Sequence, residues 1–138
     1  MTKKALAEEA AVTPKVGAGR LARLCVAAWL IPGFGHLLLG RKWRALILFV
    51  PILTMFLLGL LMKGEFFAMQ RNAYLQSLGY LGEMAMGVAM PAARFFGYDG
   101  GDPRFPGSGF GTAYLVSAGM LNILAILDAY DIALGRKP

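Results

Sequence analysis

The sequence predicts an all-α integral membrane protein with two to three transmembrane helices and one added interfacial helix. Three observations carry that expectation. The 138 residues are 57% hydrophobic but only 16% charged, whereas soluble domains carry about 25% charged residues. The mean hydropathy is +0.57, which leaves too little polar side chain to clothe a water-soluble globule and excludes a disordered composition. The charges that exist are clustered, so that residues 24–40, 45–62 and 105–127 hold no formal charge. A charge at mid-membrane costs at least about 2.5–3.5 kcal/mol, so such runs mark where a bilayer would lie. The single cysteine, Cys25, excludes a disulfide framework and a cysteine-based zinc cage.

Residues 1–19 read as a flexible cytoplasmic tail, with a short helix over 2–11, and residues 20–138 as one membrane domain. No cleavable signal peptide is visible, because the first apolar run starts after residue 20 and meets no small-residue cleavage site. Residues 20–40 open with the helical stretch LARLCVAAWL, which Pro32-Gly33-Phe34-Gly35 then breaks. The helix before the break is about 16 Å long, or half a bilayer. Residues 43–62 are the clearest span, with Trp43 at the level of the interfacial aromatic belt. Pro51 removes one backbone bond there and predicts a kink.

Residues 63–110 read as an extracytoplasmic segment. The stretch 66–98 is apolar but interrupted by Arg71, Glu83 and Arg94. As a transmembrane helix it would carry Glu83 near the bilayer centre, so a helix in the interface, or over the outer ends of the spans, costs less. DGGDPRFPGSGFG, residues 99–111, is composed as a loop. Residues 111–134 form the second span, bracketed by Tyr114 and Tyr130.

Charge asymmetry addresses the first element. Residues 1–44 hold eight basic and two acidic side chains, while 63–104 and 128–138 are each neutral. A full first span would put the basic N-terminus and Arg41-Lys42-Arg44 on opposite sides, against the positive-inside rule. A re-entrant first element keeps both cytoplasmic, along with Arg136 and Lys137. Two spans are therefore preferred over three, and both termini are expected in the cytoplasm.

The most distinctive motif runs from Trp29 to Arg41, WLIPGFGHLLLGR. With the closing GMLNILAILDAYD of residues 119–131, it resembles an uncharacterised family of small bacterial multi-pass membrane proteins, a domain of unknown function. Their mark is Pro-Gly-x-Gly-His followed by Gly-Arg before a long helix. More distantly it is similar to the two-transmembrane hairpin domain, whose acidic-Arg-Phe signature is absent here. The resemblance implies a multi-pass protein of the bacterial inner membrane and lends no biochemical activity.

The candidate structural or functional residues are Pro32, Gly33, Gly35, His36, Gly40, Arg41, Asn122, Asp128 and Asp131. Gly33 and Gly35 open backbone angles closed to other residues, and Pro32 stops the helix; a turn is the first reading and a ligand-binding turn the second. His36 is the sole histidine, and a lone imidazole builds no metal site. It can switch with protonation or tie elements together, with Asp128 and Asp131 as candidate partners on one helix side. The first reading of those aspartates is nonetheless that they are interfacial, solvated, or paired with Arg41, Lys42 or Arg44. Asn122, inside a span, is costly in lipid unless it bonds another helix.

Met84, Met86, Met90 and Met69 raise an outer thioether patch suited to copper(I), though methionine is also ordinary apolar filler. Asp99 and Asp102 offer too few carboxylates for calcium, and the glycines at 107–111 lack dinucleotide spacing. No triad or carboxylate pair compels an enzyme, and no cofactor is implied. Arg20, Arg23, Arg41, Lys42 and Arg44 suit anionic lipid head groups rather than nucleic acid. The expected function is a non-catalytic accessory or scaffold subunit that packs against a protein partner or itself. A small proton- or ion-conducting homo-oligomer is the alternative, and an outer-face metal carrier the second.

Overall fold

The computed structural model describes residues 16–68, 73–98 and 100–137, and among these the chain is helical with no strand. Most of the expected tail, the short helix over 2–11, and the Met69 and Asp99 positions lie outside the described residues. Six helices follow in order: α1 (Ala18–Leu30), α2 (Phe34–Leu38), α3 (Lys42–Leu61), α4 (Tyr74–Met84), α5 (Ala89–Phe95) and α6 (Ser108–Ala133). Two of them, α3 and α6, are long and apolar enough to cross a membrane. Their bounds fall close to the expected 43–62 and 111–134, and α3 continues through Pro51.

α6 is the axis against which the rest is arranged. α3 runs antiparallel to it. Gly59 lies against Leu115 and the Gly111 carbonyl near one end, while Arg44 is close enough to act electrostatically on Lys137 at the other. Between them Ile52 and Phe56 of α3 share a buried core with Leu115, Ala118 and Ala125 of α6 and with Met86 and Ala93. Small residues along α6 let its neighbours approach closely, the usual device where apolar helices cannot gain by leaving water.

α1 covers only half of α6. Leu21 and Leu24 line one cavity with Ile132 and Ala133, and Trp29, one turn and a half further on, reaches Asn122. Ile31 is extended (φ −131°, ψ 120°), as a residue before proline prefers. Gly33 then takes φ +76°, open to glycine at little cost, and a side chain there would collide with the Ala45 carbonyl. The chain turns back as α2, so α1 and α2 form a hairpin whose two ends lie on one side.

The segment after α3 differs from expectation. Instead of a single helix laid across the outer ends of the long helices, it forms two, and α4 runs beside the N-terminal half of α6. Thr112, Ala113, Val116 and Met120 of α6 share a groove of about 600 Å³ with Leu75, Leu78, Gly79 and Gly82 of α4. The physical reason is the pair Gly82 and Gly119. A Cβ on Gly119 would overlap the Gly82 carbonyl, so the two backbones touch where neither residue carries a side chain. The other objection to this placement, the Glu83 carboxylate, is met by a backbone hydrogen bond described below. α5 leads away again, which makes α4–α5 a second hairpin.

Candidate functional site

The two hairpins meet at Asn122. α1 ends at Leu30 and α4 at Met84, and their C-terminal ends converge on one stretch of α6. A helix end leaves its last four carbonyls without intrahelical partners and carries about half a negative charge. Two such ends facing each other repel unless donors stand between them. Asn122 Nδ2 donates to the Ala85 carbonyl at 2.7 Å and to the Trp29 carbonyl at 3.4 Å. Trp29 Nε1 donates to the Met84 carbonyl at 3.0 Å, and the Val88 amide to the Leu30 carbonyl at 3.3 Å. Asn122 is fully buried, and its Oδ1 has no hydrogen-bond partner. End to end, the 13 residues of α1 and the 11 of α4 nearly match the 26 of α6. The pair is one column broken in the middle, with Asn122 at the break.

A second cluster occupies the end of α6 that α1 and α2 cover. Gly35 fits between the Ala28 and Ala129 methyl groups, which seats α2 between α1 and α6 and buries the neighbouring His36 completely. His36 Nε2 lies 3.0 Å from Asp128 Oδ2. An ionised carboxylate only accepts, so Nε2 carries a proton and donates it to Asp128, while Nδ1 has no partner. Lys137 Nζ donates to the other oxygen of Asp128 at 2.8 Å, and Arg136 to Asp131 at 3.4 Å. The Asp128 carboxylate raises the Lys137 pKa above its ordinary 10.5. Pro32 is buried at the hairpin turn, Gly40 turns the chain at φ +76°, and the Arg41 amide donates to the His36 carbonyl at 2.9 Å before α3 begins.

Sequence reasoning missed a third cluster, at the opposite end. Glu83 is 2% exposed. Its Oε2 accepts the Phe67 amide at 2.9 Å, and Oε1 has no partner. Arg94 and Tyr98 act on it electrostatically. Phe66 stacks edge-on to Tyr98 with centroids 5.1 Å apart, Arg94 lies 5.5 Å over Phe66, and the Tyr98 hydroxyl donates to the Gly64 carbonyl. The available signal is a carboxylate next to Gly82 in an apolar stretch: the carboxylate alone argues against burial, and the glycine permits it.

Of the methionines, Met86 and Met90 are buried while Met84 is exposed, so they share no surface. Asp102 accepts the Arg104 amide at 2.9 Å in its own loop. Among the described residues no three His, Cys, Asp or Glu side chains gather to hold a metal ion.

The described geometry therefore brings His36 and Asp128 together, sets Asn122 apart at the break, and leaves Asp131 with Arg136. Compared with known proteins, residues 23–138 match a family model described as Family of unknown function (DUF6677). No curated protein matches, and no solved structure matches.

Proposed function

We propose that this chain, which belongs to that family of unknown function, is a non-catalytic membrane-embedded scaffold, an accessory subunit of a larger assembly in the bacterial inner membrane. Membrane embedding is supported by the outward apolar surface. Leu61 is 75% exposed, Leu75 82% and Phe95 87%, a surface that lipid solvates and water does not. In that reading α3 and α6 are the complete spans. The α1–α2 hairpin enters from the cytoplasmic side, where both described termini and the basic residues lie, and the α4–α5 hairpin enters from the outer side.

One observation carries the scaffold reading: the buried polar side chains are spent on holding elements to one another. Asn122 joins α6 to the ends of both half-helices, His36 joins α2 to α6, and Glu83 joins α4 to the segment after α3. Among the described residues no cleft gathers a nucleophile, an acid and a base. Irregular backbone inside a bilayer must be buried in protein or wetted, and at the two breaks Pro32, Gly33, Ala85, Met86 and Gly87 are buried.

The test is the native mass of the protein extracted in mild detergent, with co-purifying chains identified. A partner at fixed stoichiometry that survives His36→Ala and Asp128→Asn is the expected result. A bare homo-oligomer would overturn it. That outcome would bring forward the second reading, a proton- or ion-conducting oligomer, which three unpartnered buried atoms favour: His36 Nδ1, Asn122 Oδ1 and Glu83 Oε1. Liposome flux lost in those same two variants would then be its signature.

A further inference from the structure

We propose that the groove between the α1–α2 turn and the first half of α3 holds one anionic phospholipid, its acyl chain along the groove and its phosphate on Lys42. The inference rests on the membrane reading and adds a defined site and ligand to it. The groove encloses about 250 Å³ and is walled by apolar residues, among them Pro32, Phe34, Leu37, Leu46 and Phe49. Lys42 is the charged residue of its lining.

Three features select this occupant. First, Lys42 makes no hydrogen bond or ion pair among the described residues. The described carboxylates at this end are taken, Asp128 by His36 and Lys137 and Asp131 by Arg136. Among the described residues, the ammonium that lines this apolar groove therefore has no anion beside it. Second, Trp43 beside it is 78% exposed, the placement of an interfacial aromatic anchor, which sets Lys42 at head-group level. From Lys42 to Phe49 the groove follows α3 for about 10 Å, within the roughly 15 Å of one hydrocarbon leaflet. Third, the width suits one acyl chain. Spread over that length, 250 Å³ has a mean cross-section of about 25 Å², the order of a single hydrocarbon chain.

The full chain, purified in detergent and stripped of lipid, is titrated by native mass spectrometry with phosphatidylglycerol or with phosphatidylcholine of the same chains. One saturable phosphatidylglycerol is expected. Lys42→Gln weakens it about five-fold and leaves phosphatidylcholine unchanged. Leu46→Trp, which fills the groove from its exposed rim, displaces both lipids at unchanged helical content. Adducts that accumulate without saturation, or a preference that survives Lys42→Gln, would overturn the site; so would glycerol phosphate competing as well as the lipid, since a free-anion site needs no groove. Should Leu46→Trp fail to fold, the Lys42→Gln comparison still decides. Extraction of the chain without detergent would instead sink the membrane reading itself.

Discussion

Two residues bear the largest local consequences. Asn122 supplies one amide to two carbonyls that no helix satisfies. Replacing it with Leu removes both bonds and fits a larger apolar group into a fully buried position. Interhelical hydrogen bonds in membranes are worth about 0.6 kcal/mol on average and up to about 1.7. We therefore expect Asn122→Leu to lower stability by about 1–2 kcal/mol in detergent unfolding, and Asn122→Asp to lower it further, since a carboxylate would face two negative helix ends. Equal stability of the three proteins would mean that the half-helices are held by packing alone. Glu83 gives a sharper contrast. Its Oε2 accepts the Phe67 amide, and Gln retains an acceptor of the same length whereas Leu does not. Glu83→Gln should unfold within about 0.5 kcal/mol of the parent, and Glu83→Leu about 1–3 kcal/mol earlier, the cost of a buried amide left without a partner. A reversed order would show that the charge, not the bond, matters at this site.

At the scale of elements, α3 and α6 were legible because long charge-free runs mark helices apolar enough to span a membrane, and the α1 break was legible because Pro32 and Gly33 have few other uses. α4 was not. Its sequence carries Glu83 and two glycines, Gly79 and Gly82, a pattern that composition alone reads as interface. What decides its position is Gly119, thirty-seven residues after Gly82, and no local pattern links the two. The same holds for the site: Asp128 was one candidate partner for His36 beside the preferred reading of a solvated or cation-paired aspartate, while the convergence of Trp29, Ala85 and Asn122 depends on two hairpins meeting, which single-element reasoning does not foresee. The α4–α6 contact is testable. Gly119→Ala should cost about 1–3 kcal/mol as the backbones are forced apart. Gly109→Ala in the same helix, where a methyl group meets open space, should be neutral or gain up to about 1 kcal/mol from helix propensity. Thermal midpoints that move together would dissolve the contact argument. The C-terminal turn offers a pH test. The Lys137 pKa is raised by Asp128, so the contact is fully present below about 10.5 and fades as pH climbs through the higher folded value. In a ¹³Cε titration, Asp128→Asn should lower the Lys137 midpoint; an unchanged midpoint would remove the pair from solution.

For the whole molecule, the broken column decides topology, and its geometry leaves little freedom. α1 spans the stretch of α6 from Ile132 to Asn122 and α4 the stretch from Thr112 to Asn122. The start of α1 therefore lies level with Lys137, and the start of α4 level with Pro103. If a bilayer surrounds the molecule, those two levels are its two faces, and the chain crosses fully only twice while filling three columns. Charge then suggests the direction to test: Arg20 lines a cavity with Ile132 and Ala133, and Arg44 acts electrostatically on Lys137, so a positive-inside orientation would set this end at the cytoplasm. Single cysteines in a Cys25→Ser background read this out in intact cells. An impermeant thiol reagent should label Pro103→Cys from outside and leave Gly17→Cys and Arg136→Cys unlabelled until the membrane is opened. A first element that crossed completely would instead expose Gly17→Cys to the reagent while Arg136→Cys stayed protected. That single difference separates three spans from two, because a hairpin at Pro32 returns the chain to its starting face and a full crossing cannot.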